Sequence, residues 1–491
     1  MTPSIILACV LVYSALLFFI TWLTTRNATN ETYFVGNRQS PWYVVAYGMI
    51  GASLSGVTFI SVPGAVGATA FGYFQVVLGY IVGYVVIAEV LLPLYYRLKL
   101  TSIYSYLEQR LGFWSYKTGS FYFILSRVIG ASFRLFVVVN VLQTFVFDAW
   151  GIPFWVTVGA FIVLILLYTF EGGVRTIVYT DALQTTFMLT GLVLALVLTS
   201  HALGFSVFDV PAVVAKSEYS KVFFGDWHTK LFLPKQFFGG MFITIAMTGL
   251  DQEMMQKNIS VRSLKEAKRN MYVFTTILVI VNFIFLSLGA LLYMYAKARN
   301  LGLPAHSDDL FPTIALKFLG GAAGIFFVIG IISAAYPSAD GALTALTTSF
   351  CIDMLGMQKS NWNERKRKQV RYAVHVSFAA LLLVVIVIFR LINDAAVIQT
   401  LFTVAGYTYG PLLGLYTFGL FTKRNVNDAL VPVVCLLSPT ICFLINTYSK
   451  ELFSGYLFGF ELIMLNGLLT YVGLMLVSKA TVKEPAPALT A

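Results

Sequence analysis

Two arginines seven residues apart, Arg127 and Arg134, sit in an apolar run, Thr118–Phe147, long enough to cross a bilayer. Seven residues is two helical turns, so both guanidinium groups share one face of that span. A guanidinium held away from water needs an anion, and its planar fork matches a carboxylate. The anion is either a solute or an internal acid, for instance Asp181 or Glu89. Asp181 and Asp340 lie on other apolar spans, where an ionisable group is expensive and reads as functional. The structural alternative has Asp181 bonding backbone near a membrane surface and Asp340 capping a kink at Pro337. A third chemistry belongs to the backbone. The apolar run from Trp42 to about Phe74 is interrupted by Gly51–Gly64, which holds Ser53, Ser55, Gly56, Thr58, Ser61 and Pro63. Glycine, proline and serine loosen a helix. Freed carbonyls and hydroxyls at mid-membrane are hard oxygen ligands suited to an alkali cation, unless the small residues merely let helices pack closely.

The elements that must position these groups are membrane helices. Of 491 residues, 58% are apolar and 11% charged, and the mean hydropathy is +0.81, the composition of a polytopic all-α membrane protein. The first apolar run, Ser4–Thr24, lacks a basic leader and a small-residue cleavage site, so it is expected to be a span and not a signal peptide. Further spans are expected from Trp42, at Tyr73–Tyr96, Thr118–Phe147, Pro153–Phe170, from the Glu171–Gln184 turn to Ser200, from Pro234, at Met271–Ala296, Lys317–Ile352, Tyr372–Leu391, Ala396–Phe421, Ala429–Tyr448 and Phe458–Val477. That makes about thirteen. With the N-terminus outside, about two thirds of the 33 Lys and Arg fall on the cytoplasmic side. This predicts a cytoplasmic C-terminus and a multi-pass protein of the inner or plasma membrane.

Spans two to six and seven to eleven form two sets of five, whose odd number forces opposite orientations. Both sets open on a glycine-interrupted span, at Gly51/Gly56 and at Gly239/Gly240, which is how transporters with inverted repeats build a binding site. The expected division is 1–41 (leading helix and cytoplasmic loop), 42–201 (first repeat), 202–233 (extracellular loop), 234–424 (second repeat) and 425–491 (trailing helices and tail). The net charge of +11 is dispersed among short loops, such as the basic loop Lys257–Arg269, which fits a membrane better than nucleic acid. Cys9, Cys351, Cys435 and Cys442 form no disulfide or metal pattern. An enzyme is not indicated, because there is no P-loop, no His-Glu-x-x-His, and His201, His228, His306 and His375 are scattered.

Several stretches together resemble the sodium:solute symporter family, which includes bacterial proline, galactose and sialic acid carriers. They are Gly36 to Arg38 with Trp42, Ser53–Gly56, Tyr104–Arg110, Gly172-Gly173 with Thr180–Gln184, Gly249–Glu253, Ser338–Asp340 leading to Asp353, and Gly410-Pro411. The resemblance implies a leucine-transporter-type fold of two inverted five-helix repeats, and transport of a small solute driven by sodium, with the lipid bilayer as surroundings and a monomer expected. It also implies one sodium on the carbonyls of Gly51, Leu54 and Ala334, with hydroxyls at the positions of Pro337 and Ser338. Pro337 breaks that pattern, having no hydroxyl. A second sodium, found in some members, implies ligands at Asp181 and Asp340. By resemblance to the sialic acid carriers, Arg127 holds the solute carboxylate, Ser55 and Thr58 are polar contacts, and Phe71 with Gln75 keeps an aromatic-x-x-x-Gln spacing. Arg134, on the same face, joins the expected solute site. The expected solute is a carboxylate-bearing sugar or related anion such as sialic acid. A neutral sugar, polyol or amino acid is the alternative, and a sensor built on a transporter body is a further one.

Overall fold

A computed structural model of the chain describes residues 2–24, 38–392 and 397–479, without the side chains of 24, 171–173, 175 and 392. Gly36 and Asn37, most of the Thr25–Ser40 loop and the tail beyond Lys479 lie outside the described residues. Helices make up nearly all of the rest, joined by one short pairing of Asn425–Val426 with Ser478–Lys479. The helices are α1 (Pro3–Thr24), α2 (Trp42–Ser53), α3 (Gly56–Thr69), α4 (Tyr73–Arg97), α5 (Ser105–Arg110), α6 (Phe113–Leu142), α7 (Phe154–Phe170) and α8 (Thr176–Ala202). They continue as α9 (Leu233–Thr244), α10 (Gln252–Ile259), α11 (Leu264–Ala298), α12 (Gly321–Ser349), α13 (Glu364–Ile392), α14 (Val397–Thr408), α15 (Gly410–Phe421), α16 (Val431–Thr447) and α17 (Leu462–Leu476). Among the described residues, eight helices are long and apolar enough to cross a bilayer, or nine if the bent pair α2–α3 is one span. The shorter apolar helices α7, α15 and α17 stand where further spans are expected.

The helical trace runs unbroken from Phe154 to Ala202, 49 residues, far more than one bilayer crossing requires. It doubles back. Phe161 packs its ring on Tyr336, while Gly191 abuts Gly330. On one straight axis Phe161 and Gly191 would be about 45 Å apart, whereas Gly330 and Tyr336 are separated by only about 9 Å. Arms α7 and α8 therefore lie side by side against α12, as the turn expected at Glu171 requires.

Two helices are broken at mid-course. Between α2 and α3 the axis bends by 55°, where Leu54 (φ −87°, ψ 80°) and Ser55 (φ −78°, ψ 179°) leave helical geometry. Between α9 and α10 the break falls at Leu250 and Asp251. This corrects the expectation that Gly239/Gly240 interrupt the second repeat. Those glycines lie within continuous α9 and permit close packing: a Cβ on Gly240 would sit 2.2 Å from the carbonyl oxygen of Val76 in α4. The break comes ten residues later, where Asp251 caps α10 by accepting from the N–H groups of Glu253 (3.0 Å) and Met254 (3.3 Å).

The loops gather at two ends. At one, Arg38 donates to Leu100, Arg110 to Thr422 and Arg424, Lys359 pairs with Glu108, and Arg424 donates to Ser478. At the other, Gln75 donates to Leu231, Lys235 to Leu457, and Lys297 pairs with Glu218. Basic loops and the last described residues share the first end.

Candidate functional site

The first break leaves backbone oxygen without a partner. The last bond before it runs from Leu54 N–H to Ile50 O (2.8 Å), and the first beyond it from Phe59 N–H to Ser55 O (3.0 Å). Among the described residues no donor reaches the carbonyls of Gly51 or Leu54, although the Gly51 N–H donates to Thr185 Oγ1 (3.0 Å). The second break behaves differently. There Tyr95 donates to Gly249 O (2.8 Å) and Tyr104 to Leu250 O (2.8 Å). Two breaks of the same kind thus differ in chemistry: the tyrosines close one, while the other keeps oxygens available to a cation. Facing the open break is α12, where the fully buried Ser338 Oγ has no hydrogen-bond partner. Pro337 lacks an N–H, so the helical bond to the Ser333 carbonyl is missing as well. Gly51, Leu54, Ala334 and Ser338, the expected cation ligands, lie on these two packed elements, and oxygens of this kind suit a hard monovalent cation.

Beside the break lies a partly open cavity of about 60 Å³. Ser55, Thr58, Tyr73, Tyr80, Tyr84, Arg127 and Arg134 line it, with Thr244 and Thr248 from α9 and the π turn after it. Arg134 stands at the level of the break, because its backbone oxygen lies 3.4 Å from where a Cβ on Gly56 would be. Its side chain is buried, yet it makes no hydrogen bond or ion pair with any described residue, and its Nε is without a partner. Arg127 also leaves Nε and Nη2 without a hydrogen bond, but it is ion-paired with Glu253 and lies 3.7 Å from Asp251. The same face of α6 therefore carries one guanidinium with an ion pair inside the protein and one without such a pair among the described residues.

Glu253 also pairs with Lys257 one turn on (3.2 Å), and Lys257 donates to Asp181 Oδ2 (2.7 Å). Asp251 Oδ2 accepts from Tyr409 (2.7 Å), at the joint between α14 and α15. Asp340 accepts from the Tyr168 hydroxyl (2.7 Å) and from the Gly341 N–H (2.5 Å). A chain of buried charges, Arg127–Glu253–Lys257–Asp181, thus runs from the cavity to α8. Gly341 admits it, because a Cβ there would sit 2.3 Å from Glu253 Oε1.

Of the expected solute contacts, Ser55, Thr58, Arg127 and Arg134 meet in the cavity. Phe71 and Gln75 do not: Phe71 packs edge-on to Phe283, and Gln75 donates to Gly72 and Leu231 and accepts from Phe224. The Gln75 amide and the Phe71 backbone N–H, which donates to Lys221, hold the 203–232 loop in place. In the cavity Arg127 is ion-paired with Glu253, whereas Arg134 has no ion pair among the described residues. Of the expected cation ligands, Gly51, Leu54, Ala334 and Ser338 belong to the two elements that meet at the open break, while Asp181 is taken by Lys257. Glu253, Lys257 and Tyr409 were missed by sequence reasoning, and Lys257 was placed in a basic loop. The available signal was the cap at Asp251 followed by Glu253 and Lys257 at i, i+4, in a helix whose residues are all buried.

Comparison with known proteins agrees with this geometry. The structure superimposes on that of a Na+-coupled sialic acid symporter in a substrate-bound outward-open state, with a TM-score of 0.83 at 20% identity, covering 97% of this chain and 99% of the other. It also superimposes on Mhp1, a nucleobase-cation-symport-1 family transporter, with a TM-score of 0.52 at 13% identity, covering 92% and 95%. In sequence it is 24% identical to the Sodium/sialic acid symporter SiaT of Proteus mirabilis over 89% of this chain and 88% of that one. It is 26% identical to the Sodium-coupled monocarboxylate transporter 2 of Danio rerio over 87% and 68%. The fold is the leucine-transporter-type inverted repeat. Residues 33–434 match the profile described as Sodium:solute symporter family, and with more than half of its length matched the chain belongs to that family of sodium-coupled membrane carriers.

Proposed function

We propose that this carrier imports a small organic anion with sodium, a carboxylate-bearing sugar of the sialic acid type, and that Arg134 holds the carboxylate. The observation that carries this reading is a buried guanidinium with no internal partner, facing a cavity lined by hydroxyls. Burying an arginine at mid-helix costs about 2.5–3.5 kcal/mol on insertion scales, and leucine would pack without that cost. The compensation is best sought in the solute. Two relatives named above carry anions, sialic acid and monocarboxylates, which supports the same class. Ser55 and Thr58 offer hydroxyls to a polyhydroxylated solute, and Tyr73, Tyr80 and Tyr84 offer ring faces and phenol groups.

Coupling follows from adjacency. Leu54 offers its carbonyl to sodium and Ser55 its hydroxyl to the solute, so both ligands order the same two residues of unwound backbone. Each then binds more tightly when the other is present, reciprocally. Tyr73 and Ile398 line both the solute cavity and a second hollow towards the 203–232 loop, and the Tyr73 ring lies parallel to Phe402 at 6.5 Å. The end rich in basic loops is cytoplasmic in this reading, in accord with the positive-inside rule, and the 203–232 loop is external. Uptake of sialic acid into proteoliposomes under an inward sodium gradient, compared with its neutral amide, tests the proposal. Strong sodium-driven uptake of the acid alone is expected. Equal uptake of the two would replace the anion reading with a neutral sugar or polyol carrier.

A further inference from the structure

Resemblance to those members that bind a second sodium implies one at Asp181 and Asp340, and the residues present do not fit one. Asp181 Oδ2 accepts a 2.7 Å bond from the ammonium of Lys257, and both side chains are almost wholly buried. Asp340 has one oxygen on Tyr168 and the other on the Gly341 N–H. Lys257 reaches this place because α10 runs along α12: Glu253 touches Gly341, and Gln256 donates to Thr348 (3.3 Å). The opposite side is fixed by α8, where the Thr185 hydroxyl donates to the Asp181 carbonyl (2.7 Å).

We propose that the Lys257 ammonium is a tethered cation occupying the place of a second sodium, so that this carrier binds one sodium and not two. Without Lys257 the carboxylates of Asp181 and Glu253 lose the cation they share and are left for a mobile one to join. An ammonium is similar to sodium in charge but fixed to α10, so it moves with that helix instead of exchanging with solution.

The proposal rests on sodium coupling and not on the identity of the solute, so its test uses sodium alone. Equilibrium binding of radioactive sodium to the purified, solute-free protein in nanodiscs counts the ions per carrier. One ion is expected for the parent, for Lys257→Arg and for Asp181→Asn, the last with sodium affinity changed by less than threefold. Two ions, with a Hill coefficient well above one, are expected for Lys257→Gln. Two ions in the parent would overturn the proposal, and so would a single ion in folded Lys257→Gln or loss of the bound ion in Asp181→Asn. Should Lys257→Gln fail to fold, the parent count and Asp181→Asn decide between the two accounts without it.

Discussion

Replacing the two cavity arginines one at a time separates a ligand from a strut. Arg127 neutralises Glu253 and lies 3.7 Å from Asp251, so Arg127→Met leaves buried carboxylates short of a partner, at a cost of about 3–5 kcal/mol in stability. Arg134 has no partner among the described residues, so Arg134→Met removes a buried charge and leaves nothing unpaired. The solute-free Arg134→Met protein is therefore expected to melt at or above the parent temperature, and Arg127→Met well below it. Affinity runs the other way. Loss of one charge-assisted carboxylate pair is worth about 1.5–3 kcal/mol, or about ten- to 150-fold in Kd, and Arg134→Met is expected to lose that much for sialic acid. Arg134→Lys is expected to recover only part, because a point charge cannot reproduce the fork. Thermal unfolding of the empty protein and calorimetric titration with sialic acid in sodium supply both numbers. Destabilisation by Arg134→Met with affinity kept, and the reverse for Arg127→Met, would refute the assignment.

The other expectations concern the neighbouring elements. Ser338→Ala, which removes the unpartnered hydroxyl on α12, should raise the sodium concentration for half-maximal uptake by about three- to tenfold, the worth of roughly 1 kcal/mol; an unchanged sodium dependence would remove Ser338 from the cation site. A double-mutant cycle between Arg127→Met and Glu253→Gln should show a stability coupling of about 0.5–3 kcal/mol, and additive losses would contradict the pair. Gly341→Ala should displace Glu253, whose Oε1 lies 2.3 Å from the new Cβ, and impair folding, with the shorter Glu253→Asp restoring part of the yield. Single cysteines at 201–233 should react with an impermeant reagent on intact cells and those at 359–371 should not; the opposite pattern would invert the topology.

Much of the fold was legible because hydrocarbon imposes simple rules. Long apolar runs had to be helices, the Glu171–Gln184 turn had to reverse the chain, and the glycine- and serine-rich Gly51–Gly64 stretch had to loosen one of them. The second break was misplaced because Gly239 and Gly240 carry the same composition as a break while serving close packing on α4 and the α17 end. What opens the chain there is instead the capping geometry of Asp251. Arg127 and Arg134 were rightly put on one face, but periodicity assigns a face and not a partner. Which of them is ion-paired depends on Glu253, more than a hundred residues away. Lys257 looked like a loop cation because lysine in a basic run normally faces water, and only the packing of α10 between α8 and α12 shows that it is buried. Gln75 was in the expected pattern yet holds the 203–232 loop, since a spacing of residues does not fix the direction in which an amide points.

The central claim is that a carboxylate solute completes Arg134 beside an unwound, sodium-binding backbone. A cryo-electron-microscopy map of the carrier with sodium and sialic acid tests it most directly. The account predicts the solute carboxylate within hydrogen-bond distance of the Arg134 guanidinium, its hydroxyls near Ser55 and Thr58, and Arg127 still paired with Glu253. A solute bound elsewhere with Arg134 unpartnered, or a carboxylate seated on Arg127 with Glu253 displaced, would contradict it.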